Sequence, residues 1–316
     1  MASPEVVTMG RVGVDLYPEQ VGATLAEVRT FAKSLGGSPT NVAVAAARLG
    51  RRAAVITKVG NDGFGEYVRK ALVGFGVDTR WIGTDPALRT PLVFAELFPP
   101  DRFPILFYRE PKAPDMNITT QDLDLDAIAA APLFWTSGTG LSDEPSRAAT
   151  LAALDARKRR EITVHDVDHR PHLWASSDDA RRWAREAVKR ATVVVGNTDE
   201  VEMATGLRDP RKAAAALLEM GPSLAIVKRG HEGAYAWTAR EEITVPAVEI
   251  PVLNGLGAGD AFGGALCHGL LAGWPLARTL ALANAAGAIV ASRLACADAM
   301  PRLDEIEALL ARGVSA

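Results

Sequence analysis

The chain is expected to fold as an α/β sandwich, a mostly parallel central sheet covered by helices, with a small separate β-sheet set against it as a lid. Three observations carry this expectation. Short β-branched runs alternate with longer helical patterns, which is the rhythm of a parallel sheet whose crossovers are helices. Two segments, Asp15 to Leu35 and Thr90 to Thr119, break that rhythm. The chain's 316 residues, 48% of them hydrophobic, are also enough to bury one full core. Residues 1–316 therefore read as a single domain whose lid comes from the two insertions.

The strands expected in the main sheet are Val6 to Met9, Ala53 to Thr57, Leu133 to Trp135, Ile162 to His165, Thr192 to Val195 and Leu224 to Val227. Helical spacing fits between them at Asn41 to Leu49, Phe64 to Phe75, Leu123 to Ala129, Arg147 to Arg159, Asp179 to Lys189 and Pro210 to Met220. Gly50 closes the first of these in the manner of a C-terminal glycine stop. From Ala261 onward, Gly263, Gly264, Ala265 and Gly269 predict a tightly packed buried helix. Leu280 to Ala297 predicts another, because Asn284, Ser292 and Arg293 interrupt it and argue against a membrane span. In the second insertion six prolines stand among extended apolar residues. Leu92 to Phe98 and Ile105 to Tyr108 there predict a hairpin with a loose turn. Such a flap covers a cleft with one face, and its apolar outer face is expected to pair with a second copy in a homodimer.

Charge and cysteine usage exclude several classes of partner. The balance of 35 basic against 38 acidic residues leaves a net charge of -3, so no global field recruits nucleic acid or an anionic membrane. An anionic substrate has to be caught by local arginines. The two cysteines, Cys267 and Cys296, lie in alanine-rich surroundings and read as core fillers in a reducing compartment. Met1 to Gly13 has no basic start followed by a long apolar run, so no secretory signal is visible and a cytoplasmic location is expected.

The chemistry concentrates in Gly255-Leu-Gly-Ala-Gly-Asp260. Gly257, Ala258 and Gly259 carry no bulky side chain, so their N–H groups can approach a phosphate, and the apolar helix behind them adds its positive end. Asp260 would then sit where a carboxylate accepts a proton from a substrate hydroxyl. An ordinary turn with a helix cap also accounts for the segment. A dinucleotide fingerprint does not fit, since it follows a first strand and is trailed by an acidic residue about 20 positions on.

Other segments have two readings each. Gly36-Gly-Ser-Pro-Thr-Asn41 is either a glycine turn capped by Asn41 or a polar wall where sugar hydroxyls reach the backbone. Asn197-Thr-Asp-Glu200 is either a capping box or, at the carboxyl end of a buried strand, a pair that holds hydrated Mg²⁺ against phosphates. Val227 to Gly233 is either a β-turn or a nucleotide-contacting loop. Arg109 and Arg170 are candidates for a bidentate carboxylate clamp. His165-Asp-Val-Asp-His169 offers metal-ligand residue types, but its first members fall on alternating faces of a strand and nothing elsewhere completes a cluster.

Taken together, Gly36-Gly-Ser-Pro-Thr-Asn41 with its helix to Gly50, and Gly255 to Phe262, resemble the two signatures of the ribokinase-like (PfkB) sugar kinases. The resemblance extends to Val59-Gly-Asn-Asp-Gly-Phe-Gly65, Asn197-x-x-Glu200 and Asn284, and so covers nearly the whole chain. It implies a helix-covered sheet, a small β lid, and ATP with Mg²⁺ as phosphoryl donor. It further implies Asp260 as the base and Gly257, Ala258 and Gly259 as the anion hole. Asp15, Gly36, Gly37 and Asn41 fall on the sugar side, and Lys228, Gly230, Gly233, Gly257, Gly259 and Asn284 on the nucleotide side. Asn197 and Glu200 are implied to organise Mg²⁺, with Asn197 also beside the nucleotide. Gly10 to Tyr17 and Asp101 to Glu110 are similar to the inositol-pathway members, whose acceptor is the sugar acid 5-dehydro-2-deoxygluconate. By that resemblance Tyr108 and Arg109 on the lid, with Arg170, grip the substrate carboxylate. Asn254 and Gly255 stand where many members have Asp-Thr, so a monovalent-cation site does not carry over. A kinase of 2-keto-3-deoxygluconate, a ribokinase or fructokinase, and a non-catalytic sugar-acid sensor remain as alternatives.

Overall fold

In the computed structural model, residues 3–313 are described. The extreme ends of the 1–316 domain expectation, and the first two residues of the Met1 to Gly13 segment, lie outside them. Among the described residues nine strands form the main sheet: β1 (Val6–Met9), β4 (Ala53–Gly60), β5 (Ile82–Asp85), β8 (Leu133–Ser137), β9 (Ile162–Asp166), β10 (Val193–Asn197), β11 (Leu224–Lys228), β12 (Ala234–Thr238) and β13 (Glu242–Val245). Their order is β13-β12-β11-β10-β9-β8-β1-β4-β5, and only β12 runs against the rest. A second sheet holds β2 (Gly13–Pro18), β3 (Phe31–Gly36), β6 (Leu92–Ala95) and β7 (Ile105–Tyr108) in the order β3-β2-β6-β7.

Side-chain alternation along the main strands explains the layers. Val6, Val55, Trp135, Val164, Val195 and Ile226 point to one face and pack with α1 (Ser38–Arg48), α2 (Gly63–Gly74), α8 (Ala258–Leu271), α9 (Leu276–Ala291) and α10 (Leu303–Gly313). Val7, Met9, Ile56 and Phe134 point the other way, onto α3 (Leu125–Ala130), α4 (Ser146–Arg157) and α5 (Ser177–Val188). Val194, Ala225 and Val227 continue that second face under α5, α6 (Thr198–Thr205) and α7 (Pro210–Glu219). Strands buried on both faces need no polar alternation, which is why they read as plain apolar runs. Each fully buried Val or Leu contributes about 1.5–3 kcal/mol.

Several boundaries differ from the expectation for local reasons. The first helix begins at Ser38 rather than Asn41: Pro39 fits its first turn, where no N–H is needed, and Gly37 enters it at φ 99. Asn41 is thus inside the helix and is not its cap. The late helix ends at Ala291, whose carbonyl accepts from the backbone N–H groups of Leu253 and Asn254 in place of a helical N–H. The lid hairpin keeps its turn, but its first strand stops at Ala95, short of Phe98. The end of the second insertion belongs to the body, since Ile118 packs with Val7 and Met9. No helix among the described residues is long and apolar enough to cross a membrane.

Candidate active site

Five neighbouring parallel strands end at one edge of the sheet, and each delivers a polar residue there. After β1 comes Arg11, after β8 Thr139, at and after β9 Asp166, Asp168 and Arg170, at β10 Asn197, and at β11 Lys228. The glycine turn completes the edge from the opposite side. Gly257 caps α8 at φ 83, a left-handed conformation that also brings its backbone against Cys296, where a side chain would have no room. The amides of Gly257, Ala258 and Gly259 thereby open a helix whose first turn holds Asp260.

Two adjoining cavities meet at this carboxylate. The larger, about 660 Å³, is lined by Asp166, Asn197, Glu200, Lys228, Gly230, Gly233, Gly259 and Asn284. The smaller, about 70 Å³, is lined by Arg11, Asp15, Tyr17, Gly37, Asn41 and Cys296, and roofed by Val93, Ala95, Ile105 and Phe107 of the lid. Ser38, Arg170, Leu256, Gly257 and Asp260 line both. Asn41 Nδ2 donates to Asp260 Oδ2 at 2.8 Å and so orients the carboxylate at the shared wall.

In the smaller cavity Tyr17 OH donates to Asp15 Oδ2 at 3.0 Å and lies 2.7 Å from Cys296 Sγ, which leaves the thiol as donor to the phenol. Cys296 packs in a small apolar cluster with Tyr17, Ala95 and Leu97 and also forms a wall of this cavity, whereas Cys267 sits in the main core. Gly36 passes directly beside the Asp15 carboxylate, and Gly37 packs against the Arg11 carbonyl. Burial pushes the Asp15 carboxyl up to about 6, against the pull of the Tyr17 hydroxyl and the Arg11 guanidinium. Burial likewise raises the Asp260 carboxyl, although hydrogen bonds from Asn41 and Ser38 act the other way. A carboxylate in the first turn of a helix also gains about 0.3–1 kcal/mol in its charged form, too little to cancel full desolvation.

The charges alternate across the shared wall. Asp168 is buried between Arg170, at 2.9 Å, and Arg11, at 3.6 Å, and accepts from Thr139 Oγ1 at 3.2 Å. Burial works to raise its carboxyl, but Arg170, with Arg11 and Lys228, outweighs that and holds it below the usual range. Lys228 Nζ lies 3.3 Å from Asp166 Oδ2 and on the side of Gly259. Burial opposes its charge, yet Asp166, Glu200 and Asp260 keep it a firmly protonated cation beside the helix entrance. His165 is buried in β9 with Nδ1 3.0 Å from Thr136 Oγ1, and burial lowers its pKa to about 4.

Asn197 and Glu200 form a true capping box: Asn197 Oδ1 accepts from Glu200 N at 2.9 Å and Glu200 Oε2 accepts from Asn197 N at 2.7 Å. Glu200 Oε1 remains, 3.6 Å from Arg170. The capping reading is thus structurally real and still compatible with a metal role, because a hydrated Mg²⁺ needs only one or two carboxylates besides phosphate oxygens. Among the described residues no group of three His, Cys, Asp or Glu converges to hold an ion by itself. Asn284 Nδ2 donates to Val245 O and Pro246 O, fixing the floor of the larger cavity. Asn254 is spent in the same way, on Leu294 O and Leu256 N, and holds the glycine turn in place.

In this structure the lid half of the expected carboxylate clamp, Tyr108 and Arg109, lies away from both cavities. Side chains in a strand alternate, and β7 turns Ile105 and Phe107 to the cavity, so Tyr108 faces outward, 60% exposed and edge-on to Phe94. Arg109 is buried in an ion pair with Asp115, whose other oxygen accepts from Val12 N, and it lines neither cavity. Arg170 does reach the shared wall. Arg11 reaches the smaller cavity, from a turn between strands that no periodicity marks; only its place after β1's carboxyl end signals it.

A lidded pocket adjoining a helix-mouth cleft, with one half-buried carboxylate between them, suits a phosphotransferase that acts on a small hydroxylated molecule, and the chain is a sugar kinase. The model of the pfkB family of carbohydrate kinases matches residues 3–303, and the chain belongs to that family. It is 32% identical to the 5-dehydro-2-deoxygluconokinase of Geobacillus kaustophilus, over 96% of this chain and 92% of the relative. The enzyme of the same name from Bacillus subtilis is 32% identical over 97% of this chain and 95% of its own. An E. coli structure solved with ATP and Mg²⁺ superposes with a TM-score of 0.88 at 25% identity, covering 98% of this chain and 99% of that one. The fold is accordingly the ribokinase-like sandwich with its separate small sheet.

Proposed function

We propose that this kinase transfers the γ-phosphoryl group of ATP to the terminal 6-hydroxyl of a sugar acid, 5-dehydro-2-deoxy-D-gluconate. The observation that carries the reading is Asp260 on the wall common to two cavities, held by Asn41 beside the amides of Gly257, Ala258 and Gly259. From there a carboxylate takes the hydroxyl proton while the amides hold the charge on the moving phosphoryl oxygens. Lys228 draws the phosphates toward that turn, and Gly230, Gly233 and Asn284 shape the floor for the nucleotide. ATP with Mg²⁺, organised at Asn197 and Glu200, supplies the activated phosphoryl group. Asp15, Gly36, Gly37 and Asn41 receive the acceptor's hydroxyls, and Arg170 faces its carboxylate. The acceptor assignment is supported by the names of the relatives and by the guanidinium groups in the smaller cavity, which would be idle against a neutral sugar.

The test is a substrate panel with Mg-ATP: 5-dehydro-2-deoxygluconate, 2-keto-3-deoxygluconate, ribose and fructose. The first is expected to have the highest kcat/KM, and equal use of the neutral sugars would remove the acid assignment. Asp260→Asn is expected to lower kcat by roughly two or more orders of magnitude while ATP still binds. An unchanged kcat would take Asp260 out of the mechanism.

A further inference from the structure

We infer that Arg11 is the principal carboxylate-binding residue of the acceptor cavity, acting with Arg170 in the place where the sequence pattern suggests the Tyr108–Arg109 pair. The inference rests on the sugar-acid reading and names the group that enforces it.

The geometry leaves few other donors. Arg109 is committed to Asp115 and Tyr108 faces away from the cavity. Arg170 is largely spent: one terminal nitrogen donates to its own neighbour His169 O and faces Glu200, the other is 2.9 Å from Asp168. Arg11 differs from both. It is 8% exposed, it lines the smaller cavity, its ion pair with Asp168 is stretched to 3.6 Å, and its buried Nε has no hydrogen-bond partner. An unpaired buried guanidinium N–H is a standing cost, which an incoming carboxylate that satisfies it removes on binding. The guanidinium is also fixed before the ligand arrives. It stands 5.7 Å from the centre of the Phe107 ring, and Thr40 Oγ1 together with Asp115 pins the backbone of Arg11 and Val12 from the body. Asp168 sits between the two arginines as a spacer, keeping like charges together without neutralising both. A neutral acceptor would leave the Arg11 donor unsatisfied, which is how such a site rejects it.

The experiment compares Arg11→Met, Arg11→Lys and Arg109→Met with the unaltered enzyme. Each is assayed with Mg-ATP on the sugar acid and on the analogue whose carboxylate is reduced to an alcohol. Arg11→Met is expected to raise KM for the acid by about 50-fold, with kcat within a few-fold, KM for ATP unchanged and kcat/KM on the alcohol analogue raised, because the donor that disfavours it is gone. Arg11→Lys, which keeps the charge but loses the fork, is expected to raise KM about 10-fold. It gives the same reading if the methionine variant does not fold. Arg109→Met is expected to leave the preference for acid over alcohol intact. Equal losses on acid and alcohol in the Arg11 variants would mean that Arg11 only supports the wall, and a preference abolished by Arg109→Met would return the clamp to the lid; either result overturns the inference. If the unaltered enzyme used acid and alcohol equally well, the sugar-acid reading itself would fall first.

Discussion

At the scale of single residues the site is held away from its electrostatic optimum. Asp15 ionises near 6 in the folded protein against 3.8 when free. Between those values the folded chain keeps a proton that the unfolded chain has released, so this group's contribution to stability falls as pH rises through the window. Above pH 6 it is a net cost of about 2–3 kcal/mol. Asp15→Asn keeps an oxygen to accept from Tyr17 and removes the charge. It is expected to raise the melting temperature at pH 7.5 and to change it little at pH 4, where Asp15 is protonated in the fold. Thermal scans at both pH values check this, and a lower melting temperature at pH 7.5 would show that the charge is better accommodated than burial implies. The strain has a functional side, because a carboxylate stabilised internally would have less reason to seek a substrate hydroxyl.

At the scale of elements α1 and α8 cross closely and carry the two glycine-rich segments toward each other. Gly264 packs on Ala45 and the Ala46 backbone, so that no Cβ fits between the helices, and Gly263 faces Trp135 in the same way. Gly264→Val is expected to destabilise the protein by about 2–3 kcal/mol through overpacking, whereas Gly74→Ala in α2, where a Cβ meets nothing, is expected to be neutral or slightly stabilising. Urea unfolding of the two variants separates these outcomes; equal midpoints would mean that the helices can part freely. Much of this layer was legible in the sequence, since β-branched runs mark strands buried on both faces and small residues mark close helices. The hairpin β12–β13 was not, because β12 alternates Ala, Tyr and Trp and the β-branched run of β13, Ile243 to Val245, is only three residues long; the pairing comes from β11. Asp260 and Asn41 were legible because each lies in a motif with a physical task. Arg11 and Asp168 were not, because their significance comes from three strand ends converging. Tyr108 illustrates the opposite failure: its neighbours suggested a lid contact, while the two-residue strand period had already turned it outward.

At the scale of the whole molecule the lid is shut. Val93, Ala95, Ile105 and Phe107 of the small sheet roof the acceptor cavity. At the hairpin turn the Phe103 ring rests against Gly255 of the glycine turn. Phe103→Ala is expected to lower kcat on the acceptor several-fold and to increase ATP hydrolysis in its absence, because water then reaches the phosphates. Phosphate release without sugar measures this, and no increase would show that the sheet excludes water without the Phe103 ring. The common wall of Ser38, Arg170, Leu256, Gly257 and Asp260 has one more consequence. Two ligands that touch across a single aperture leave no space for a phosphorylated protein side chain to ferry the group between them. If the two cavities take ATP and the acceptor as proposed, transfer is expected to be a single displacement within a ternary complex, with one inversion at phosphorus.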